Sequence, residues 1–436
     1  MINNNDIKQL REELLKNLEQ NNFFKAFELY CNIFDNLENK KYTDSIEQKN
    51  FIRFLLKVMR KAEVLCDDNI YNKLNSTLQI EDIKTQNILL NEHEIYNKNI
   101  ELKSKPQSLQ VTLTTLCNAN CRMCGNKRMP KWEVSDFGVE NIVSLLPYVQ
   151  EVTWMGGEVF THNKFNYLVE KSSFYETEQS IITNGTFYKD DIVKILTNNN
   201  VRTTVSLHSL NKSTYEYIMR IDALYNVYKF LDNLNKYRTK YFCLSLNFVV
   251  MKSNYKELIN LIDFVKKYNI IEVILLPLQE EVMEFYNTEN IFFGDNIDFD
   301  IIKNIRNITE DLSKEFKKLG VRFINNLPVF EYQKESDDII SKENDKKELI
   351  PVSTLNHNNE NPKEKYKVCQ YPWTKLFIEN NGNIMISASC RSVIKEPMGH
   401  IDKDSLISVW NNEKIKSIRY KIVTDHCSEY CQKILD

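Results

Sequence analysis

The sequence has little glycine and no excess of charge of either sign. Only 9 of its 436 residues are glycine, whereas about 7% is typical of proteins, so any cluster of glycines marks a position that needs inspection. The 57 basic and 60 acidic residues give a net charge of −3. A dedicated nucleic-acid-binding protein normally carries a basic excess or patch, so we expect no nucleic-acid partner.

Long hydrophobic runs are also missing. The longest, Ile270–Leu278, is interrupted by Glu272 and is far shorter than the roughly 20 residues that span a membrane. The N-terminal MINNNDIKQL has no basic segment followed by an apolar one, so it does not resemble a secretory signal. We therefore expect a cytoplasmic protein without a membrane span. In that compartment disulfides are rare, and clustered cysteines indicate metal-binding or redox sites.

Neither glycine nor proline occurs from Met1 to Ser104, and this region has a helical pattern. Apolar residues recur with the spacing of one helix face at 7–20, 23–37 and 51–65. We expect an all-helical N-terminal module over residues 1–104. Cys31 and Cys66 fall on the apolar faces of these helices, where buried thiols without a chemical role are expected.

After Pro106, short β-rich runs alternate with amphipathic helices. Six strands are predicted, at Leu109–Thr115, Glu151–Met155, Ser180–Thr183, Arg202–Leu207, Phe242–Val250 and Glu272–Leu276. Repeated βα units predict an α/β fold with a parallel sheet, and six units are too few for a closed eight-stranded barrel. We expect a partial (β/α)6 barrel over residues 105–330. A polar linker or mobile loop over 331–362 and a small α+β domain over 363–436 complete the predicted organisation.

Cys117, Cys121 and Cys124 follow the first predicted strand as C-x3-C-x2-C. Three thiolates on one loop can hold three irons of a cubane cluster, which is ligated by four cysteines when it is closed. Because the next cysteine is Cys243, one iron would keep the open position that a catalytic metal needs. Zinc is the alternative, but it requires four protein ligands, and His162 and the residues after it lack suitable spacing.

This cysteine loop after a first strand resembles the radical S-adenosylmethionine (radical SAM) superfamily. The resemblance implies a SAM-binding [4Fe–4S] cluster whose fourth iron is chelated by the amino and carboxylate groups of SAM. It further implies that an electron from the cluster cleaves SAM to methionine and a 5′-deoxyadenosyl radical, which abstracts a hydrogen atom from the substrate. The cofactor supplies the radical chemistry, and the protein binds and orients the reactants. A reducing partner such as flavodoxin or ferredoxin is implied as well.

The end of the second strand, WMGGEVF, strengthens the resemblance. Gly156 and Gly157 would let the backbone approach a ligand closely, and the resemblance implies that Glu158 accepts a hydrogen bond from the SAM amino group. Val159 stands where the family usually has proline, which changes only the expected local backbone shape. The third strand ends in Thr183-Asn184-Gly185, a turn that is common in the superfamily.

The remaining strands supply four further predicted SAM contacts. Ser206 and Arg220 match a serine and a downstream arginine that bind SAM in related enzymes, and the guanidinium suits the methionyl carboxylate. Asn247 is predicted to touch the ribose and Leu276 the adenine. Ordinary structural roles are the alternative for Ser206, Arg220 and Asn247. Cys243 lies near the start of its strand, away from the chemistry, so we expect a buried structural thiol there.

Residues 363–436 contain a second constellation, Cys369, Cys390, Cys427 and Cys431. The first two flank a predicted hairpin with its turn at Asn380–Gly382. The pattern resembles the twitch form of SPASM domains, which implies one auxiliary [4Fe–4S] cluster. Four cysteines would close that cluster, which favours electron transfer or structural support over substrate coordination. A zinc site with four cysteine ligands is the alternative.

Together these features predict a radical SAM enzyme. A peptide or protein substrate, as in the maturation of ribosomally made peptides (RiPPs), is the first expectation. A dehydrogenase or epimerase acting on a sugar or other small molecule is one alternative. A non-catalytic iron–sulfur or zinc-binding protein is another, and SAM cleavage would distinguish it from an enzyme.

Overall fold

The computed structural model describes residues 82–294, 297–328, 369–390 and 394–424, with a few isolated positions before them. Most of the predicted N-terminal module and the whole 331–362 linker therefore lie outside the described residues. The same holds for four of the cysteines considered above, Cys31, Cys66, Cys427 and Cys431. The domain boundaries derived from the sequence stay predictions.

One ten-stranded sheet organises the described chain, in the order β10-β9-β8-β1-β2-β3-β4-β5-β6-β7. Strands β1 to β7 pair in parallel with their sequence neighbours, as predicted for the (β/α)6 unit. The strands are β1 (Ser108–Thr114), β2 (Glu151–Gly156), β3 (Glu178–Thr183), β4 (Arg202–Ser206), β5 (Leu244–Val250), β6 (Glu272–Pro277), β7 (Arg322–Asn325), β8 (Lys375–Ile378), β9 (Asn383–Met385) and β10 (Gly399–His400).

At least one helix follows each of the strands β1 to β6. Among the described residues, no helix is long and apolar enough to cross a membrane. The α-helices are α1 (Ile83–Tyr96), α2 (Asp136–Leu145), α3 (Phe165–Phe174), α4 (Asp190–Asn198), α5 (Lys212–Met219), α6 (Leu224–Tyr237), α7 (Leu261–Tyr268), α8 (Met283–Glu289), α9 (Phe299–Leu319), α10 (Tyr371–Thr374), α11 (Leu406–Val409) and α12 (Glu413–Thr424).

The two faces of the sheet differ in polarity, which fixes the register of the strands. Val205 and Leu246 are paired across β4 and β5 and are buried in the apolar core. The next pair, Ser206 and Asn247, points to the opposite face because side chains alternate along a strand. A slip by one residue would turn the apolar side chains out of the core and the polar ones into it. Burial of the apolar side chains therefore places the polar side chains together on the other face.

The C-terminal segment extends the barrel sheet instead of forming a sheet of its own. β8 pairs in parallel with β1, from Ser108 opposite Lys375 to Val111 opposite Ile378. It covers an edge of β1 that would otherwise present unpaired backbone groups. β9 then returns antiparallel to β8, which confirms the predicted hairpin. Because β8 and β1 run in the same direction, the turn after β8 opens at the same edge as the cysteine loop.

The helix α1 belongs to the predicted N-terminal module, yet it packs against both later regions. Asn91 donates hydrogen bonds to Ser104 Oγ and to the Trp373 carbonyl oxygen, each at 2.8 Å. Lys84 is buried and donates to the Val149 carbonyl oxygen at 2.6 Å. The helical prediction is confirmed for this part of the chain, which is integrated into the core.

Arg419 on α12 ties the C-terminal region to the chain that leads into β1. It is fully buried and donates to the carbonyl oxygens of Pro372, Trp410 and Ile100, each at 2.9 Å. It also donates to Asn411 Oδ1 at 2.9 Å and lies over the Trp410 ring. Burial lowers the pKa of Arg419 to about 9, so at neutral pH the guanidinium keeps its charge and all its donors.

Candidate active site

A large cavity of about 1190 Å³ opens at the carboxyl ends of strands β1 to β4. Its wall includes Cys117, Cys121 and Cys124 together with much of the loop between residues 115 and 131. Phe377 on β8 and Asn380 in the turn after β8 also line it. The predicted cluster loop and the C-terminal region thus border one space.

The cysteine loop is docked onto the end of α5. The Arg122 backbone N–H donates to the Ile218 carbonyl oxygen at 2.8 Å, and Arg122 Nε donates to the Tyr217 carbonyl oxygen at 2.8 Å. The guanidinium also lies 4.6 Å from the centre of the Tyr217 ring. The Asn120 N–H reaches the Met219 carbonyl oxygen at 3.3 Å. These contacts hold the loop in place, which is what a precise site requires.

Asn184, in the turn after β3, holds the other side of the same loop. Its Nδ2 donates to Asn118 Oδ1 at 2.8 Å and lies 3.8 Å from Cys117 Sγ. Asn118 in turn donates to Thr186 Oγ1 at 2.7 Å. The sequence motif identified this segment only as a turn. In the structure it positions the first cysteine.

Burial and mutual repulsion keep the three thiols protonated when no metal is bound. Burial, reinforced by the neighbouring Cys124 and Cys117 sulfurs, raises the pKa of Cys121 to about 12. Burial is also the main reason why the pKa values of Cys117 and Cys124 are raised. Metal binding would therefore displace protons from this site. Three thiols on one fixed loop fit the three protein-bound corners of a cubane cluster.

A site for one metal ion differs from a cluster site, because its ligands must surround a single point. Among the described residues, no three His, Cys, Asp or Glu side chains converge closely enough to hold one metal ion.

Gly156 and Gly157 line the cavity, but the structure gives a different reason for them than the one expected. A Cβ on Gly157 would lie 2.2 Å from the Leu116 carbonyl oxygen, and one on Gly156 would lie 2.4 Å from the Thr114 carbonyl oxygen. The two glycines therefore allow β2 to approach the backbone that leads into Cys117. Their predicted role in the close approach of a ligand stays a prediction.

Glu158 connects the end of β2 to the turn after β3. It is fully buried, accepting from Thr183 Oγ1 at 2.8 Å and from the Asn184 N–H at 2.8 Å. It does not line the cavity. Its contact with the SAM amino group stays a prediction, and the structure shows that it fixes the turn carrying Asn184.

The carboxyl group of Glu158 is expected to make stability depend on pH. Burial raises its pKa from 4.5 to about 7, so the folded state binds the proton more tightly than the unfolded state does. The stabilisation is complete below pH 4.5 and is lost as the pH rises through 7, by up to about 3 kcal/mol. Urea unfolding between pH 4.5 and 7.5 should show this decline in the wild type and much less of it in Glu158→Gln. Equal slopes for the two proteins would contradict this assignment.

Ser206 lies where the sequence placed it, on the cavity wall at the end of β4. Asn247 is its partner in register on β5 but does not itself line the cavity. The Asn247 Oδ1 atom is buried, and within the described part of the chain it has no hydrogen-bond partner. A buried oxygen without a donor is uncommon in native structures. It fits a hydroxyl group of a bound ligand, while the predicted ribose contact itself stays a prediction.

Arg220 and Leu276 do not line the cavity. Arg220 is exposed and ends α5 in the left-handed region, with φ of 54°. For a residue other than glycine this conformation is unfavourable by roughly 1–2 kcal/mol, and such strain is often found at functional sites. Leu276 is half-buried on β6. The carboxylate and adenine contacts of these two residues stay predictions.

The sequence interpretation missed His208, which is buried in the cavity wall. Its Nδ1 accepts from the Val249 N–H at 3.1 Å, so the ring proton of the neutral imidazole is on Nε2. Burial lowers the pKa of His208 to about 4, which keeps the ring neutral at physiological pH. The alternation of side chains after Ser206 was the signal that could have identified it.

The other cysteines are placed as follows. Cys243 precedes β5 at the edge opposite the cavity, as expected, but it is only half-buried, so the predicted burial is wrong. Cys369 and Cys390 are both buried near Tyr371, whose pKa is raised by burial and then by the two sulfurs. Their proposed partners Cys427 and Cys431 lie outside the described residues, so the full ligand set stays a prediction.

A family model matches the part of the chain that contains the cysteine loop. Residues 111–265 match the family model described as Radical SAM superfamily. The chain contains a radical SAM domain. Residues 369–433 match the SPASM model, an iron–sulfur cluster-binding domain. The radical SAM and SPASM domains imply a SAM-binding [4Fe–4S] cluster and an auxiliary iron–sulfur cluster, which confirms the cofactor predictions.

The curated relatives of this chain are named for more than one activity. A probable GTP 3′,8-cyclase of Thermococcus kodakarensis is 28% identical over 184 residues, which cover 41% of this chain and 59% of that protein. The radical SAM cyclopropyl synthase TigE of Paramaledivibacter caminithermalis is 25% identical over 291 residues, covering 56% and 60%. The chain thus spans about 60% of the length of these two relatives.

Solved structures support the fold. SuiB of Streptococcus suis aligns with a TM-score of 0.54 and 18% identity, covering 91% of this chain and 83% of SuiB. SuiB bound to its precursor peptide SuiA aligns with a TM-score of 0.52 and 16% identity, covering 81% and 72%. At this identity the likeness concerns the fold, which confirms the α/β prediction.

Proposed function

We propose that this radical SAM protein reductively cleaves SAM and uses the resulting radical to abstract a hydrogen atom from a substrate. The observation that supports the proposal is the fixed loop of three thiols at the end of β1, facing a cavity large enough for SAM and part of a substrate. A flavodoxin or ferredoxin as the electron donor and a cytoplasmic location belong to the same proposal.

The residues of the chain would bind and orient the reactants. Cys117, Cys121 and Cys124 would hold the cluster that supplies the electron. Ser206 on the wall and the unpartnered Oδ1 of Asn247 would orient SAM by hydrogen bonds. The turn after β8 would exclude water from the side of the cavity that it borders.

The test is the release of 5′-deoxyadenosine by anaerobically reconstituted protein with dithionite and SAM. We expect release by the wild type and none by the variant with Cys117→Ala, Cys121→Ala and Cys124→Ala. That variant should keep about four irons per chain, those of the auxiliary cluster. Cys243→Ala is the matched control and should behave as the wild type. No release by iron-replete wild type would refute the enzyme, and complete loss of iron from the triple variant would refute the two-cluster arrangement.

A peptide is the proposed substrate class. SuiB, with which this chain shares its fold over most of its length, was crystallised with a precursor peptide. Asn380 supports the same class, because its Oδ1 is buried on the cavity side without a partner among the described residues. A backbone N–H of a peptide would satisfy this oxygen, and Phe377 beside it offers an apolar contact.

A small anionic substrate such as a nucleotide is the second candidate. Lys127, Arg128 and Lys131 line the cavity, and they make no ion pair within the part of the chain that the structure describes. Several relatives are named GTP 3′,8-cyclases. If GTP, but not ATP, accelerates 5′-deoxyadenosine release, the nucleotide is favoured. If neither nucleotide does so, the peptide remains the favoured class.

A further inference from the structure

Glu281 lies in the segment that follows β6 and contacts the cysteine loop. Its Oε2 accepts from the Gly125 N–H at 2.7 Å, although the two residues are 156 positions apart in the chain. Gly125 comes directly after Cys124, and Glu281 itself lines the cavity. A carboxylate from the far end of the barrel therefore lies next to the third predicted cluster ligand.

The contact has two electrostatic effects at that ligand. A glutamate brings a negative charge at neutral pH. Glu281 also accepts the hydrogen bond of the Gly125 N–H, which is the first backbone donor after Cys124. That N–H is then not available to a sulfur of the cluster. Lys127 on the same loop acts in the opposite direction, lowering the pKa values of Cys121 and Cys124 against the larger effect of burial.

The reduction potential of an iron–sulfur cluster depends on the local charge and on hydrogen bonds to its sulfurs. A nearby negative charge disfavours the reduced, more negative cluster, and so does the diversion of an N–H from sulfur. We propose that the carboxylate of Glu281 lowers the reduction potential of the cluster held by Cys117, Cys121 and Cys124. The inference goes beyond the proposed function, because it concerns the energy of the transferred electron and not the fate of a substrate.

The test is a redox titration of the anaerobically reconstituted full-length protein, followed by electron paramagnetic resonance. Glu281→Gln keeps an oxygen that can accept from the Gly125 N–H but removes the charge, so the potential should shift to a more positive value. Glu281→Asp keeps the charge and should stay closer to the wild type than Glu281→Gln does. The auxiliary cluster is the internal reference and should keep its potential in every variant. Glu284→Gln, on α8, is the matched control and should leave both potentials unchanged.

Three outcomes would overturn the proposal. The first is an unchanged potential of the SAM-binding cluster in Glu281→Gln. The second is an equal shift of both clusters, or the same shift in Glu284→Gln, because either would show a general charge effect. The third is loss of the SAM-binding cluster's iron in Glu281→Gln, which would make Glu281 a mechanical support of the loop. The potentials can be measured even if no 5′-deoxyadenosine is formed, so failure of the proposed enzyme and failure of this inference are distinguishable.

Discussion

Replacing Arg419 with alanine is expected to lower the free energy of unfolding by more than about 3 kcal/mol. The buried guanidinium supplies donors to three carbonyl oxygens and to Asn411 Oδ1. Its removal would leave these acceptors without their donor in the core, and each buried unsatisfied group costs roughly 1–3 kcal/mol. Because the acceptors come from the chain before β1 and from the C-terminal region, both regions should loosen together. Urea unfolding measures the loss.

Two variants make this prediction specific. Arg306→Ala removes an exposed arginine of α9 that pairs with Glu310 at the surface. Its effect should stay within about 1 kcal/mol. Arg419→Lys keeps a positive charge but lacks the planar fork of donors, so it should also be clearly destabilising. If Arg419→Ala lowered the free energy of unfolding no more than Arg306→Ala does, Arg419 would not hold the two regions together.

The second large effect is expected from Gly157→Ala, which should remove the iron of the SAM-binding cluster. The new Cβ would lie 2.2 Å from the Leu116 carbonyl oxygen and 2.7 Å from that of Thr115. Backbone atoms cannot turn aside as a flexible side chain does, so the residues leading into Cys117 must move. We expect the iron content to fall to about four per chain, the auxiliary cluster alone, and 5′-deoxyadenosine release to stop.

Gly320→Ala is the matched control for that variant. Gly320 ends α9 with φ of 69°, and no atom lies within 4 Å of the position its Cβ would take. The substitution adds backbone strain of roughly 1–2 kcal/mol without a steric clash. It should therefore lower stability and leave the iron content unchanged. If Gly157→Ala kept its full iron content, the prediction would be wrong, because the loop would then bind the cluster despite the new Cβ.

Local patterns in the sequence were enough to predict the barrel and the cluster loop. The alternation of strands and helices after Pro106 encodes the parallel order of β1 to β6, because each βα unit forms from neighbouring residues. The pairing of β8 with β1 joins segments more than 260 residues apart. The pattern of residues within either strand does not predict this pairing. For that reason the sequence predicts a C-terminal domain without predicting that its first strand joins the barrel sheet.

The motifs identify residues near the cavity, but they do not predict which of their side chains line it. Ser206 lies on the cavity wall as predicted. Glu158 is fully buried and Arg220 is exposed, and neither lines the cavity. Orientation depends on the packing of neighbouring strands and loops, which a motif does not encode. The contact of Glu281 with Gly125 is of the same kind, since only the closed fold brings the two residues together.

The central claim is that one cluster is open to SAM and the other is closed. It is tested most directly by the electron paramagnetic resonance spectrum of the reduced, iron-replete protein recorded with and without SAM. We predict that SAM changes the signal of one cluster only, and that the variant lacking Cys117, Cys121 and Cys124 shows no response. A spectrum that SAM leaves unchanged in the wild type, or a response that survives in that variant, would contradict the account.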